Sequence, residues 1–127
     1  MIQPKSLNSC YLLYSIMEEK ERILQENYQE YFELGEQAFQ SGKYNSAVTL
    51  FFKAISAAAD LFLFKREGSV PSSHGNRFRI AQQKYPVVYD ILDKDFPFYQ
   101  DSYTNRMDRE AAEVLREDAQ RLKEMVR

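Results

Sequence analysis

Tyr44-Asn45-Ser46-Ala47-Val48-Thr49-Leu50-Phe51-Phe52-Lys53-Ala54-Ile55-Ser56-Ala57-Ala58-Ala59-Asp60-Leu61-Phe62-Leu63-Phe64-Lys65-Arg66 is the stretch whose periodicity decides the fold. Ala47, Phe51, Ala54, Ala58, Leu61 and Lys65 recur at three- and four-residue steps, with Val48, Ile55 and Phe62 beside them. That spacing predicts a helix over 44–66 whose apolar face is too wide for a surface helix. Ala54, Ala57, Ala58 and Ala59 carry almost no side-chain bulk, so a neighbouring helix backbone can approach closely and the segment belongs at the centre of a bundle. Ser41-Gly42-Lys43 precedes it, and Gly42 can take the left-handed C′ conformation that ends a helix.

Upstream, apolar residues from Leu7 to Phe39 recur near a 3.5-residue period (Cys10, Leu13, Met17, Leu24, Tyr28, Tyr31, Gly35, Ala38), interrupted by polar residues at Glu19 to Arg22. One long helix and two abutting ones both fit that pattern. Downstream, Gly68 to Asn76 is the long breaker cluster and the natural functional loop. A short helix from about His74 to Lys84 turns Phe78, Ala81 and Tyr85 inward. Pro86 then opens another helix, which Asp95-Phe96-Pro97 is expected to kink or restart. Asp108 is a good N-cap for a last helix striped with Ala111, Leu115, Asp118/Ala119, Leu122 and Met125. Val, Ile and Thr total only 14 residues and Gly only 4, so a sheet lacks both its preferred residues and its turns. The expectation is one all-α domain over residues 1–127, a mostly antiparallel bundle of about five helices.

At 127 residues the chain has room for one core, and surface scaling lets roughly two-thirds of its extended surface leave water. Cys10 is the one cysteine, so no intramolecular disulfide forms and a reducing, cytoplasmic setting is expected. Its place on the apolar stripe makes it a core thiol rather than a nucleophile. With one Cys and one His, His74, zinc sites built from several such ligands are excluded; no metal or cofactor is expected. There is no run of 18 apolar residues for a membrane span, and Met1 to Ser6 is too short and too polar for a leader's hydrophobic region. Phosphate loops, His-Glu-x-x-His and Gly-x-Ser-x-Gly are all missing.

The net charge of -2 means that any nucleic-acid partner must find a local patch. Lys65 to Tyr89 supplies one, with Lys65, Arg66, Arg77, Arg79 and Lys84 against Glu67 alone. Within it, Pro71-Ser72-Ser73-His74-Gly75 reads as a helix entry capped by Ser72 or Ser73. His74, Arg77 and Lys84 share a face of that helix, so helix-end N–H groups, a hydroxyl, an imidazole and an Arg fork make a phosphate-sized anion site. The alternative is a solvated basic face with a capping histidine.

Two resemblances follow from ordered motifs. Tyr31-x2-Leu34-Gly35-x2-Ala38, then Gly42, Tyr44, Ala47, Phe51 and Ala54, is similar to a single tetratricopeptide helix pair, with no array after it. Over most of the chain, from about Tyr28 to Met125, the sequence resembles the HEPN (higher eukaryotes and prokaryotes nucleotide-binding) family. The resemblance is carried by Gly42-Lys43-Tyr44-x2-Ala47, Asp60-Leu61-Phe62-Leu63, Ser73-His74-Gly75 with Phe78, Tyr103-Thr104-Asn105-Arg106-Met107 and a final helix with Ala111-Ala112, Leu115 and Ala119.

This resemblance implies a nucleotide- or RNA-binding bundle that pairs with itself and often works beside a small nucleotidyltransferase, as in toxin–antitoxin systems. The family's ribonucleases use Arg-x4-6-His; here Arg106 matches the arginine, but Ala111, Ala112 and Glu113 stand where the histidine should follow. An alanine cannot move a proton, so binding without intrinsic cleavage is the expectation. The alternatives are a helical scaffold for protein partners and a metal-independent ribonuclease that uses His74 with Arg106. The expected ligand residues are Ser73, His74, Arg77, Tyr103 and Arg106, with none catalytic.

Overall fold

The alanine-rich helix is central, and each of the other four helices packs against it. In the computed structural model, which describes residues 5–126 and side chains from residue 9 onward, the elements are α1 (Lys5–Gln40), α2 (Tyr44–Glu67), α3 (His74–Lys84), α4 (Pro86–Asp101) and α5 (Arg109–Met125). Met1 to Pro4, part of the stretch read against a leader peptide, lie outside the described residues. No strand occurs among the described residues, and the all-α bundle of five helices is as expected. The first apolar stripe forms one helix, not two, about 54 Å long at 1.5 Å per residue.

Partners along each helix give their directions. Phe39 lies under Arg109, Glu36 pairs with Arg116 and Tyr28 bonds the carbonyl of Ala119 at 3.2 Å, so α1 and α5 are antiparallel. The three-residue turn at 41–43 makes α1 and α2 antiparallel, with Gly42 at φ 73° as its left-handed residue. Asn45 on the first turn of α2 holds the α4–α5 connection, its amide donating to the carbonyls of Ser102 and Asn105 while its oxygen accepts from the N–H of Met107. Phe52 packs on Tyr99 and Phe96, and the far end of α2 meets the start of α4, so those two helices are antiparallel as well.

Ala54, Ala57, Ala58 and Ala59 are all buried, as a central helix with no bulk to spare requires. The approach is tightest where α1 crosses α2, since a Cβ added at Gly35 would stand 2.7 Å from the Phe51 ring. By length and composition α2 could cross a membrane, yet 78% of that window is buried inside the bundle. Asp108 caps α5 through the N–H of Ala111 at 2.8 Å.

Three expectations are corrected. Cys10 is exposed, because α1 runs past the end of α2: Tyr14 and Met17 stand level with Phe64 and Gly68, so the residues before them have no helix beneath. Of the kink or restart expected at Asp95-Phe96-Pro97, the restart is corrected, since α4 continues through Pro97. Both Pro97 and Asp93, whose carbonyl loses its partner there, face solvent, where water replaces the missing N–H. Lys84 shares Arg77's face but lies nearly two turns further along, and it pairs with Glu67 at 3.0 Å instead of joining an anion site.

Buried between α4 and α5 are two carboxyl groups: the periodicity placed Asp118 on the stripe of the last helix but gave no reason to expect Asp95. Asp95 is 0% exposed, and neither of its carboxyl oxygens accepts a hydrogen bond among the described residues, so only its protonated form can bond, by donating to Asp118. Asp118 is its acidic neighbour on α5 and is held by Lys94 at 2.8 Å. Burial first, then Asp118, push the Asp95 carboxyl up to about 9.

Candidate ligand-binding cavity

A cavity of about 220 Å³ opens where α1, α2, α3 and α4 converge. Each wall follows from the local sequence. Helix α1 contributes Leu24, Asn27 and Tyr31 at three- and four-residue steps, and α2 contributes Phe52, Lys53, Ser56, Ala57 and Asp60 in the same way. Helix α3 brings His74 and Arg77 from its first turn, and α4 brings Tyr99.

Its floor is an Asp60–Arg77 ion pair, with the more exposed His74 beside it. Both Asp60 oxygens are engaged by the Arg77 fork, Nε to Oδ1 at 2.7 Å and Nη2 to Oδ2 at 2.9 Å, and each residue is only 8% exposed. The remaining arginine nitrogen, Nη1, lies 2.8 Å from His74 Nδ1. A guanidinium can only donate, so Nδ1 must accept, which leaves the imidazole neutral with its proton on Nε2. The electrostatics agree: burial first and then the Arg77 charge hold His74 below the usual imidazole range, with Asp60 offsetting only part of this.

The ring of His74 stands among Phe52, Phe96 and Tyr99 at centroid distances of 6.3, 5.8 and 6.5 Å. Phe52 and Tyr99 are stacked at 4.8 Å. On the rim, Lys53 is exposed with Nζ 6.0 Å from the centre of the Tyr31 ring, and no carboxylate among the described residues pairs with it. The Ser56 hydroxyl, also in the wall, is buried without a hydrogen-bond partner among the described residues.

Of the five residues singled out in the sequence, His74 and Arg77 stand together in this cavity. Arg77 is not the free fork expected there, because Asp60 occupies two of its nitrogens. Ser73 is the cap of α3, accepting from the N–H of Asn76 at 3.0 Å, so its hydroxyl is already engaged. Tyr103 reaches the cavity through Tyr99, hydroxyl to hydroxyl at 2.9 Å. Arg106 is exposed on the α4–α5 connection and lines no part of the cavity. That connection is pinned at Asn45, about two turns of α2 before Phe52.

Asp60 was within reach of sequence reasoning and was missed as a site residue. A lone acid between Ala59 and Leu61 on a buried helix requires a partner. Nothing in the spacing marked Lys53 or Asn27, and Tyr31 was marked only as part of the α1 apolar stripe and of the tetratricopeptide-like helix pair. Among the described residues no cluster of three or more acidic, His or Cys side chains could hold a metal ion. Comparison of the chain with family models, with curated proteins and with solved structures gives no match.

Proposed function

We propose that this chain is a HEPN-like nucleotide- or RNA-binding domain without intrinsic cleavage. The observation that carries the reading is the cavity itself, which puts aromatic faces, polar groups and an unpaired cation at one place, the combination that single-stranded nucleic acid and nucleotides use. A non-cleaving site is supported by His74. Its one basic nitrogen accepts from Arg77, so it has no lone pair left to take a proton from a ribose hydroxyl. Arg106, the residue matching the family's ribonuclease arginine, stands away from the cavity wall.

The proposal extends to self-association, with a small nucleotidyltransferase as a further partner in a toxin–antitoxin setting. Tyr11, Leu12, Leu13 and Tyr14 are 69%, 62%, 60% and 65% exposed, and four consecutive helical residues point to all sides. Apolar surface of this kind marks a protein interface, and a second copy is the occupant this reading assigns to it.

His74 is the one histidine, so its imidazole gives a single set of ring signals in NMR. Titration with nucleoside monophosphates or short single-stranded RNA is expected to move those signals, with no loss of ligand to cleavage over the experiment. Signals that stay fixed with every such ligand at millimolar concentration would refute binding at this cavity.

A further inference from the structure

We propose that the cavity receives the uncharged heterocyclic ring of the nucleotide and leaves the phosphate outside, at Lys53. This rests on the nucleotide-binding reading above and reverses the orientation that the basic stretch suggests. The first argument is charge. Arg77 is the cation on the floor, and the Asp60 carboxylate takes its Nε and Nη2, so the pair is neutral as a unit. His74 is also neutral, because its Nδ1 accepts from Arg77. A phosphate on that floor would give up its water to sit beside the Asp60 carboxylate with no free positive charge to receive it, and burying an unpaired charge is strongly unfavourable.

An uncharged ring meets the opposite situation. Tyr31 and Tyr99 offer aromatic surface, with the buried Phe52 stacked against Tyr99. The polar groups at the walls suit a base edge: the Nε2–H of His74 donates, the Asn27 carboxamide donates and accepts, and the unpartnered Ser56 hydroxyl does either. Size agrees. At about 220 Å³ the cavity is smaller than the roughly 300 Å³ at which pockets begin to enclose a drug-sized molecule, so it holds a ring and not a whole nucleotide. Lys53 is then placed to meet what remains outside, being exposed, on the rim and without a carboxylate partner among the described residues.

The test compares uridine and adenosine, their 5′-monophosphates and inorganic phosphate, by calorimetry and by the His74 ring signals. The nucleosides are expected to bind and to move His74, whereas inorganic phosphate leaves it unmoved. The monophosphates are expected to bind more tightly than the nucleosides by a salt-dependent factor. Lys53→Gln, an exposed substitution that leaves the core intact, should weaken the monophosphates more than the nucleosides and so remove that factor. Tyr31→Ala should weaken nucleoside binding by roughly 5- to 150-fold, the loss of one stacking partner.

Inorganic phosphate that moves His74 while nucleosides do not would overturn the orientation and leave nucleotide binding standing. Failure of all three ligand classes would overturn both. Equal effects of Lys53→Gln on nucleoside and monophosphate would remove the rim's assigned role and with it the proposal.

Discussion

Replacing Asp95 by Asn should stabilise the protein at neutral pH, by an amount that follows from where the residue sits. Its carboxyl is fully buried between α4 and α5, with Asp118 beside it, and is pushed up to about 9, so the native state holds the proton at pH 7. In the unfolded chain the same group titrates near 3.9. Between those two values the native state binds one proton more than the unfolded state. The contribution of Asp95 to stability is therefore complete below about pH 4 and is lost as pH rises toward 9. At pH 7, about three units above the unfolded pKa, this costs about 4 kcal/mol. Asn keeps the shape, has no proton to acquire and can donate N–H to Asp118, but one unpaired amide hydrogen would cost about 1–3 kcal/mol. The net gain expected at pH 7 is thus about 1–3 kcal/mol.

The pH dependence is the sharper reading, because that offset does not vary with pH. The difference between Asp95→Asn and the parent chain should widen by about 1.4 kcal/mol per pH unit from pH 5 to pH 8. Urea denaturation followed by circular dichroism at constant ionic strength measures it. Asp118, Lys94 and His74 are present in both proteins and largely cancel. Curves that stay parallel over those three units would refute the argument, since a carboxylate ionised in both states gives no slope.

Gly35→Ala gains about 1 kcal/mol of helix propensity but drives a Cβ to 2.7 Å from the buried Phe51 ring, an overpacking cost of about 1–3 kcal/mol, so a net destabilisation of up to about 2 kcal/mol is expected by urea denaturation. A higher midpoint would mean that Phe51 moves aside freely. Arg77→Ala strands Asp60 and should cost about 3–5 kcal/mol, with much of the loss recovered by pairing Arg77→Met with Asp60→Leu; a loss below 1 kcal/mol would return Arg77 to a solvated basic face. Sedimentation equilibrium at micromolar protein should show a dimer that Leu12→Glu with Leu13→Glu reduces to a 15.0 kDa species, and a parent chain already at 15.0 kDa would remove the α1 interface.

The helices were legible because each carries its own boundary chemistry. Gly42 ends α1, Ser73 and Asp108 open α3 and α5, and Pro86 stands at the first position of α4, all local effects that need no knowledge of the fold. Expectations failed where the outcome depended on what lay alongside. Cys10 sits on an apolar stripe as regular as its neighbours further along α1, yet α2 does not extend beneath it. Pro97 is a helix breaker in general and is tolerated here because it and Asp93 face water. Periodicity states which face of a helix is apolar; it does not state how far the covering helix reaches.

The site divides along the same line. Ser73, His74 and Arg77 were found because a breaker loop, a cap and a run of positive charge coincide in a few residues of sequence. Their meaning was set by a residue on another helix: Asp60 turns the Arg77 fork from an anion receptor into a buried pair, and that pair in turn fixes the tautomer of His74. The apolar run that made α2 readable as the bundle centre is also what makes its single acid significant. A carboxylate among Ala58, Ala59 and Leu61 has little water to fall back on, so it holds the cation the fold brings to it. Core and site are therefore built from the two sides of one helix. Its alanines admit α1 and α5, while its polar exceptions, Lys53, Ser56 and Asp60, follow one another at three- and four-residue steps along the face that the packing leaves open as the cavity.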